Sequence, residues 1–378
     1  MKKNKWFVLL AVLAMAGCTQ EDGTPVDDLS TNNPLQSEQD KTIDARLRPY
    51  FRQKVHVGAL VGVYRQGTVS WYEYGETAKG SGQRPGANTL FEIGSITKPI
   101  TAALVIDWLQ QNQLTLDTPV AAYLPAEARS GASKNNKPMT FRHLLDYSSG
   151  LPEDGTLAPD LISAPGYNPA NPFQHFDSTQ VYNYLKNRGL TNTPGTTYSY
   201  SNLAFGLAGI LLERNTRQTY ETLVRERITG PLQMNDTGIT LSAEQEKRMA
   251  QGYDASGKTV ARWKNLGGFA AAGILVSSGT DLMKFGQAHL RGDSPLEKIL
   301  APTRQVSFVS ATDGRQGLGW VLTDPEFDGV LKSGGTGGFS SLLVTSKTKQ
   351  MVIIMLVNNK DDSAVQTFGL LAADLLKL

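Results

Sequence analysis

Apolar runs near the two ends of the chain predict β-strands. Close to the N-terminus, Val57–Tyr64 and Val69–Tyr74 lie on either side of Gln66-Gly67, a pattern typical of a hairpin. Near the C-terminus there are three more runs of this kind: Leu318–Leu322, Phe339–Val344 and Met351–Val357. We therefore expect one sheet that combines strands from both ends of the chain.

The segment between these strands has helical patterns, which extend from about Thr97 to Leu212. Within it, Ile100–Leu109 is apolar enough for a buried helix. A stretch rich in proline and glycine, Pro152–Pro172, is predicted to interrupt the helices. Ala364–Leu376 predicts a last helix. The fold class that follows is α+β: an antiparallel sheet flanked by N- and C-terminal helices, with a mainly helical subdomain at about 97–212.

Composition and charge narrow the class of protein. The chain has 378 residues, of which 40% are hydrophobic and 19% are charged, as in a globular protein. The net charge of +2 gives no reason to expect nucleic acid as a partner. After the N-terminus no apolar run approaches the ~18 residues that indicate a membrane-spanning helix. No His-x-x-x-His pattern or Cys/His cluster suggests zinc, and we expect neither a metal nor a cofactor.

The first 18 residues have the pattern of an export signal. Three lysines precede the apolar segment Trp6–Met15, and Ala16-Gly17-Cys18 closes it. This arrangement resembles a bacterial lipoprotein signal, which implies that Cys18, the only cysteine, is lipidated and becomes the mature N-terminus. The alternative is ordinary cleavage after Ala16, which would leave Cys18 as a free thiol.

Residues 19–40 predict a flexible tether, since they are rich in Asp, Thr, Asn, Gln and Pro and have almost no apolar side chains. The folded domain is then expected at 41–378. Either route of processing places the protein outside the cytoplasm. With lipidation, we expect a periplasmic protein that contacts the membrane only through its lipid anchor. Thr19 stands where an aspartate commonly retains lipoproteins in the inner membrane, which favours the outer membrane of a Gram-negative bacterium.

Ser95-Ile96-Thr97-Lys98 places a hydroxyl and an amine at positions i and i+3, which share a helix face. A serine hydroxyl needs a base in contact to act as a nucleophile, and a desolvated lysine can serve as that base. The chain has a second match to this pattern, Ser346–Lys349, between two predicted strands. We interpret the second match as a solvated hairpin turn and the first as the start of the buried helix.

Two further motifs follow along the chain. Tyr200-Ser201-Asn202 is the only Tyr-x-Asn, and Lys332-Ser333-Gly334 is the only Lys-[Ser/Thr]-Gly. With Phe91–Lys98 in front of them, they resemble the serine acyl-enzyme superfamily of class C β-lactamases and low-molecular-mass penicillin-binding proteins. The likeness starts at about Arg46. It also includes Tyr147–Pro152, Pro194–Thr196 and Lys332–Phe339. The resemblance implies a β-lactamase/transpeptidase-like fold.

The resemblance also implies a role for each matching residue. Ser95 would be acylated, and Lys98 or Tyr200 would take its proton, with the choice between these two left open. The expected substrate-binding residues are Asn202, Lys332, Ser333, Gly334 and Gly335. Of these, the lysine and the serine would bind a substrate carboxylate. The N–H of the last glycine, together with that of the nucleophile, would form the oxyanion hole.

The function implied first is that of a class C-type β-lactamase, with a small-molecule β-lactam as substrate. The alternatives are a D-Ala-D-Ala carboxypeptidase or endopeptidase that acts on peptidoglycan peptides, a penicillin sensor without turnover, and a carboxylesterase. Glu153-Asp154 stands where the class C pattern leads to a glutamine. No Glu-x-x-Leu-Asn follows the middle motif, as class A would require, and no Gly-x-Ser-x-Gly indicates a nucleophile-elbow hydrolase.

Overall fold

The structure is a computed structural model that describes residues 29, 31–33, 35–52 and 57–378. The predicted signal segment, Cys18 and the first part of the predicted tether therefore lie outside the described residues. None of the helices formed by the described residues combines the length and the apolar content that crossing a membrane requires.

Strands and helices follow one another along the whole described chain. In chain order the strands are β1 Gly58–Arg65, β2 Thr68–Gly75, β3 Leu90–Glu92, β4 Ser133–Lys134, β5 Lys137–Pro138, β6 Gly252–Tyr253, β7 Thr259–Val260, β8 Val276–Ser278, β9 Phe308–Ser310, β10 Gly314–Gln316, β11 Val321–Leu322, β12 Val330–Gly335, β13 Ser340–Ser346 and β14 Met351–Val357. The α-helices are α1 Glu38–Phe51, α2 Thr97–Gln111, α3 Phe141–Leu145, α4 Asp154–Ser163, α5 Ser178–Asn187, α6 Asn202–Thr216, α7 Tyr220–Val224, α8 Ala243–Lys247, α9 Ala270–Gly273, α10 Gly279–Leu290, α11 Glu297–Leu300 and α12 Ala364–Leu376.

The main sheet has eight antiparallel strands in the order β2-β1-β14-β13-β12-β11-β10-β9. Its centre joins the two ends of the chain, because β1 pairs with β14 in a register that places Ala59 opposite Val357. The predicted α+β class and the sheet built from both ends of the chain are therefore confirmed. The hairpin β1–β2 turns at Gln66-Gly67, as predicted.

Both faces of the sheet are covered, and β14 shows how the sequence achieves this. All seven of its residues are apolar and buried. Since successive side chains of a strand point to opposite faces, Ile353 and Met355 join one apolar cluster, and Val352 and Ile354 join another. The first cluster contains the apolar side chains of α1 and α12, and the second contains those of α10 and the helical region. A continuous apolar strand is thus required at this position.

Helix α2 is the centre of the helical region. Nearly all of its residues are buried, as the apolar stretch Ile100–Leu109 predicted. Pro99 fits because it falls in the first turn, where its missing N–H would have no helical partner. Thr101 fixes α2 to α9, since its Oγ1 donates to the carbonyl oxygen of Ala271 at 2.6 Å.

Two predicted boundaries differ from the structure. Helix α1 begins at Glu38, within the predicted tether, because Ser37 and Asp40 form a capping box at its N-terminus. Asn33, also within that tether, donates from Nδ2 to Asp44 Oδ1 at 2.6 Å. The interruption predicted at Pro152–Pro172 contains α4, which Leu157 and Leu161, one turn apart, hold against the core.

Near the C-terminus, the strand predicted at Leu318–Leu322 shrinks to Val321–Leu322, because Gly319 turns the backbone at φ +77°. The interpretation of Ser346 as an exposed turn residue was wrong. It ends β13 and is fully buried, and its Oγ donates to the carbonyl oxygen of Phe327 at 2.6 Å. The turn itself starts at the next residue, Lys347, and ends before β14.

Candidate active site

Ser95 lies in a tight turn between β3 and α2. This turn is the 3₁₀ segment Gly94–Ile96, and it lies against the end of β12. Gly94 has φ +48°, and a Cβ added there would lie 2.6 Å from the backbone nitrogen of Gly335. Only glycine fits this close approach, which brings the nucleophile's turn against the strand that contains Gly335.

Lys98 is fully buried in the first turn of α2. Its Nζ lies 2.9 Å from Ser95 Oγ, 2.5 Å from Asn202 Oδ1 and 2.8 Å from the carbonyl oxygen of Ala272. Three polar atoms therefore surround the amine, one of them the hydroxyl of the candidate nucleophile.

Tyr200 donates its hydroxyl hydrogen to Ser95 Oγ at 2.7 Å. Its ring stacks on that of Tyr147, with centroids 5.3 Å apart and an interplanar angle of 14°. The Nζ atoms of Lys98 and Lys332 lie 4.9 Å and 4.6 Å from the centroid of the Tyr200 ring. Both amines thus lie close to this ring, and either one gains a cation–π contact when it is charged.

Burial shifts the pKa values of Lys98, Lys332 and Tyr200. It lowers the pKa of Lys98 well below its usual range, the nearby charge of Lys332 lowers it further, and the carboxylate of Asp154 partly offsets these effects. Burial also lowers the pKa of Lys332, to about 7, and raises that of the Tyr200 phenol. These shifts favour the protonated form of the phenol and the uncharged form of the Lys98 amine.

The hydrogen bonds of Lys98 suit this uncharged amine. A neutral amine has two hydrogens to donate and one lone pair. If the hydrogens go to Asn202 Oδ1 and the carbonyl oxygen of Ala272, the lone pair faces Ser95 Oγ. Ser95 can then donate to Lys98 while it accepts from Tyr200. In this arrangement Ser95 has a partner for its hydrogen and for one lone pair, and its proton points at a base.

Asn202 is held from both sides of its side-chain amide. Its Oδ1 accepts from Lys98, and its Nδ2 donates to Asp154 Oδ2 at 2.5 Å. The sequence predicted Asn202 as a substrate-binding residue, and the structure adds that one of its amide N–H groups contacts Asp154. Asp154 itself was noted only as a departure from the class C pattern. The signal in the sequence was its position two residues after Pro152, which does not specify what the side chain contacts.

Strand β12 forms one wall of the site. Lys332 is buried and Ser333 is half-buried. A Cβ added to Gly334 would lie 2.1 Å from the carbonyl oxygen of Ile93, so a larger residue would push the strand away from the nucleophile. Gly335 is exposed, and a Cβ there would meet nothing within 4 Å. The strand therefore packs tightly at one glycine and leaves room for a substrate at the next.

Glu92 connects segments that border the site, and it was not identified from the sequence. It is 4% exposed. One carboxylate oxygen accepts from the N–H of Trp263 at 2.6 Å, and the other accepts from Thr336 Oγ1 at 2.5 Å. Burial raises its pKa, and these hydrogen bonds counteract the increase. Glu92 thereby ties the segment after Gly335 to the strand before Ser95.

Other polar groups lie outside this cluster. His143 accepts the N–H of Thr140 on Nδ1 at 3.2 Å and so caps α3. Burial lowers its pKa to about 4. Within the described residues, no group of three or more His, Cys, Asp or Glu side chains is arranged to hold a metal ion.

A serine whose hydroxyl contacts both a buried lysine and a tyrosine, at the junction of an antiparallel sheet and a helical region, defines a serine hydrolase that acts through an acyl-enzyme. The family model named Beta-lactamase matches residues 43–375. The chain belongs to this family.

Relatives in this family have two kinds of name. A beta-lactamase of Pseudomonas fluorescens is 26% identical over 359 residues, which cover 86% of this chain and 94% of that protein. The D-alanyl-D-alanine-carboxypeptidase/endopeptidase AmpH of Escherichia coli (strain K12) is 29% identical over 304 residues, 75% of this chain and 74% of that protein.

Solved structures agree on the fold. A beta-lactamase/D-alanine carboxypeptidase from Pseudomonas syringae has a TM-score of 0.73 at 24% identity and covers 90% of this chain and 99% of its own. A class C beta-lactamase has a TM-score of 0.75 at 22% identity and covers 90% of this chain and 96% of its own. The family match confirms the predicted superfamily, and these structures confirm its β-lactamase/transpeptidase-like fold.

Proposed function

We propose that this serine hydrolase is a class C-type β-lactamase that opens the β-lactam amide through an acyl-enzyme on Ser95. The observation that supports this most directly is the pair of contacts to the serine hydroxyl, 2.9 Å from Lys98 Nζ and 2.7 Å from the Tyr200 hydroxyl. One partner has a lowered pKa and can accept a proton, and the other is a protonated phenol that can donate one.

In the acylation step, Ser95 transfers its proton to the Lys98 lone pair while Oγ attacks the carbonyl carbon of the lactam. The C–N bond of the tetrahedral intermediate then breaks, and the nitrogen takes the Tyr200 proton. The phenol recovers its proton from the Lys98 ammonium, so both residues return to their starting state. Lys98 is therefore the base, and Tyr200 delivers the proton to the leaving group.

Deacylation uses the same groups, which now take a proton from water and return one to Ser95. A water molecule gives a proton to the Lys98–Tyr200 pair as its oxygen attacks the ester carbonyl. The ester C–O bond breaks, Ser95 Oγ takes a proton back, and the carboxylic acid product leaves. The N–H groups of Ser95 and Gly335 hold the developing oxyanion in both steps, and the close packing of Gly94 against Gly335 supports this placement.

Substrate binding is assigned to the remaining predicted residues. Lys332 and Ser333 bind the carboxylate of the substrate, and the exposed backbone at Gly335 leaves space for it beside β12. The tight packing at Gly334 keeps this strand close to the nucleophile. One N–H of Asn202 contacts Asp154, which leaves the second for a substrate amide.

The test is covalent labelling combined with turnover. A fluorescent penicillin should label the protein, Ser95→Ala should abolish the labelling without loss of the fold, and a chromogenic cephalosporin should turn over many times per enzyme molecule. Ser346→Ala is the matched control from the second Ser-x-x-Lys. It should label normally, although loss of its buried hydrogen bond should lower stability. Labelling of Ser95→Ala would reject the proposal.

A D-Ala-D-Ala carboxypeptidase or endopeptidase is the second candidate. Two observations favour it: the similarity to a relative named as such, and Glu153-Asp154 in the place where the class C pattern leads to a glutamine. Hydrolysis of a D-Ala-D-Ala peptide with a single burst on the cephalosporin would establish this function. A burst with no peptide hydrolysis would indicate a sensor, and turnover of p-nitrophenyl esters alone would indicate an esterase.

We also infer that the enzyme acts in the periplasm, attached to the outer membrane through a lipid on Cys18. The sequence of residues 1–18 supports this, as does Thr19 after the cysteine. The membrane contact is then limited to the anchor, since one or two acyl signals suffice for attachment without a spanning helix.

A further inference from the structure

The carboxylate of Asp154 lies behind the catalytic cluster and contacts none of the reacting atoms. Its Oδ2 accepts from Asn202 Nδ2 at 2.5 Å, and the Oδ1 of the same asparagine accepts from Lys98 Nζ at 2.5 Å. Lys98 in turn contacts Ser95 Oγ at 2.9 Å. A continuous line of short hydrogen bonds therefore runs from the carboxylate, through one amide, to the base and the nucleophile.

The second oxygen of this carboxylate supports a role beyond packing. Asp154 Oδ1 is buried and has no hydrogen-bond partner in the structure. A buried carboxylate oxygen without a partner is costly unless a positive charge compensates it. The lowered pKa of Lys98 favours the uncharged amine in the resting enzyme, where this compensation is then weak. It arises when Lys98 accepts the serine proton, because an ammonium then forms at the other end of the asparagine.

We propose that Asp154 is a positioning residue that fixes the amide of Asn202 with its oxygen toward Lys98 and stabilises the Lys98 ammonium formed during acylation. Its effect is larger in the transition state than in the resting state, which is the condition for lowering a barrier. This inference rests on the proposed acyl-enzyme mechanism and adds a residue to it. Asp154 does not need to contact the substrate to have this effect.

The charges around the base agree with this role. The titratable groups that face Lys98 are Asp154 from α4, Tyr200 from the segment before α6 and Lys332 from β12; α9 contributes only the carbonyl oxygen of Ala272. Lys332 lowers the pKa of Lys98, and Asp154 is the group that raises it. Conversely, burial raises the pKa of Asp154, and its hydrogen bond with Asn202 and the nearby charge of a protonated Lys98 oppose that increase.

Asp154→Asn tests the charge, because it keeps the shape and an acceptor for Asn202 but removes the carboxylate. Without that charge the pKa of Lys98 falls, so the acidic limb of the pH profile of acylation should move to lower pH. The ratio of the acylation rate in mildly acidic buffer to the plateau rate should rise by about threefold or more. The plateau rate itself should fall on the order of tenfold, since the ammonium loses its compensating charge.

Asp154→Ala and Glu153→Gln complete the experiment. The alanine variant also frees the Asn202 amide, so its plateau rate should fall further than that of Asp154→Asn. Glu153→Gln removes a neighbouring exposed carboxylate and should leave rate and pH profile unchanged. Rates are measured with a penicillin that labels the wild-type enzyme, and thermal melting verifies that each variant is folded.

The experiment distinguishes failure of the inference about Asp154 from failure of the proposed function. If the wild-type enzyme is not labelled on Ser95, the mechanism itself is wrong. If the wild-type enzyme is labelled and Asp154→Asn loses rate with an unchanged acidic limb, Asp154 acts only in packing and the inference is overturned. A matching shift in Glu153→Gln would also overturn it, because the effect would then not depend on the hydrogen bond to Asn202.

Discussion

At the residue scale, Tyr200 is the group whose role can be isolated most cleanly. Tyr200→Phe keeps the ring and its stacking on Tyr147 and removes only the hydroxyl that contacts Ser95. Acylation by a cephalosporin should fall by a factor on the order of 10² or more, as loss of a proton shuttle implies. Substrate binding should change much less. Rapid-mixing kinetics separate the two, and near-normal acylation would remove the tyrosine from the mechanism.

Lys332 should make recognition of carboxylate substrates depend on pH. Its pKa is about 7, so the ammonium is present below that pH and is lost as the pH rises through it. For a cephalosporin with a carboxylate, KM should therefore increase above neutral pH. For a neutral ester it should stay level, because no charge complementarity is involved.

Lys332→Ala supplies the control for this expectation. It should weaken the carboxylate-bearing substrate at acidic and neutral pH and abolish the pH dependence of KM, with a smaller effect on the ester. Equal losses on the two substrates would show that Lys332 does not bind the carboxylate.

At the element scale, the site depends on how closely the Ser95 turn packs against β12. Gly94→Ala should reduce both stability and acylation. The positive φ costs ~1–2 kcal/mol for a residue with a side chain, and overpacking against the Gly335 backbone adds ~1–3 kcal/mol. Denaturant unfolding and the labelling rate measure the two effects.

Gly80→Ala separates these contributions, because Gly80 has φ +75° but a Cβ there would meet nothing within 4 Å. It should lose only the conformational part of the stability and label at the normal rate. If both variants behaved alike, the contact between the Ser95 turn and β12 would not matter for catalysis.

The same elements show what the sequence could predict. The hairpin β1–β2, the strand β14 and the helix α2 were predictable because burial on one face or both leaves a long apolar pattern. Strands β9 to β11 span only two or three residues, too few for a period to show. The start of α1 was missed because its signal is a polar capping box and not an apolar run.

The candidate site also contains residues that the sequence predicted and one that it did not. Ser95, Lys98, Tyr200 and Lys332 meet as the motifs predicted, since each motif specifies both a residue and an order along the chain. Asp154 could not be assigned from sequence, because its contact depends on where α4 begins relative to α6. The spacing of residues along the chain does not predict how close the start of α4 lies to the start of α6.

At the scale of the whole molecule, attachment to the membrane can be tested independently of catalysis. Cys18→Ser should move the protein from the membrane fraction to the soluble periplasm, because lipidation requires the thiol. Its activity on the cephalosporin should be unchanged, since the folded domain is the same. A variant that still sediments with membranes, or wild-type protein recovered as soluble, would contradict the lipid anchor.

The pairing of β1 with β14 also has a consequence for the order of events during synthesis. The hairpin β1–β2 leaves the ribosome long before β14, the strand that covers its open edge. Closure must therefore wait for all of the chain between them, and such distant pairings form slowly. A chain that stays open until β14 emerges would remain threadable through a translocation channel, as the proposed export requires.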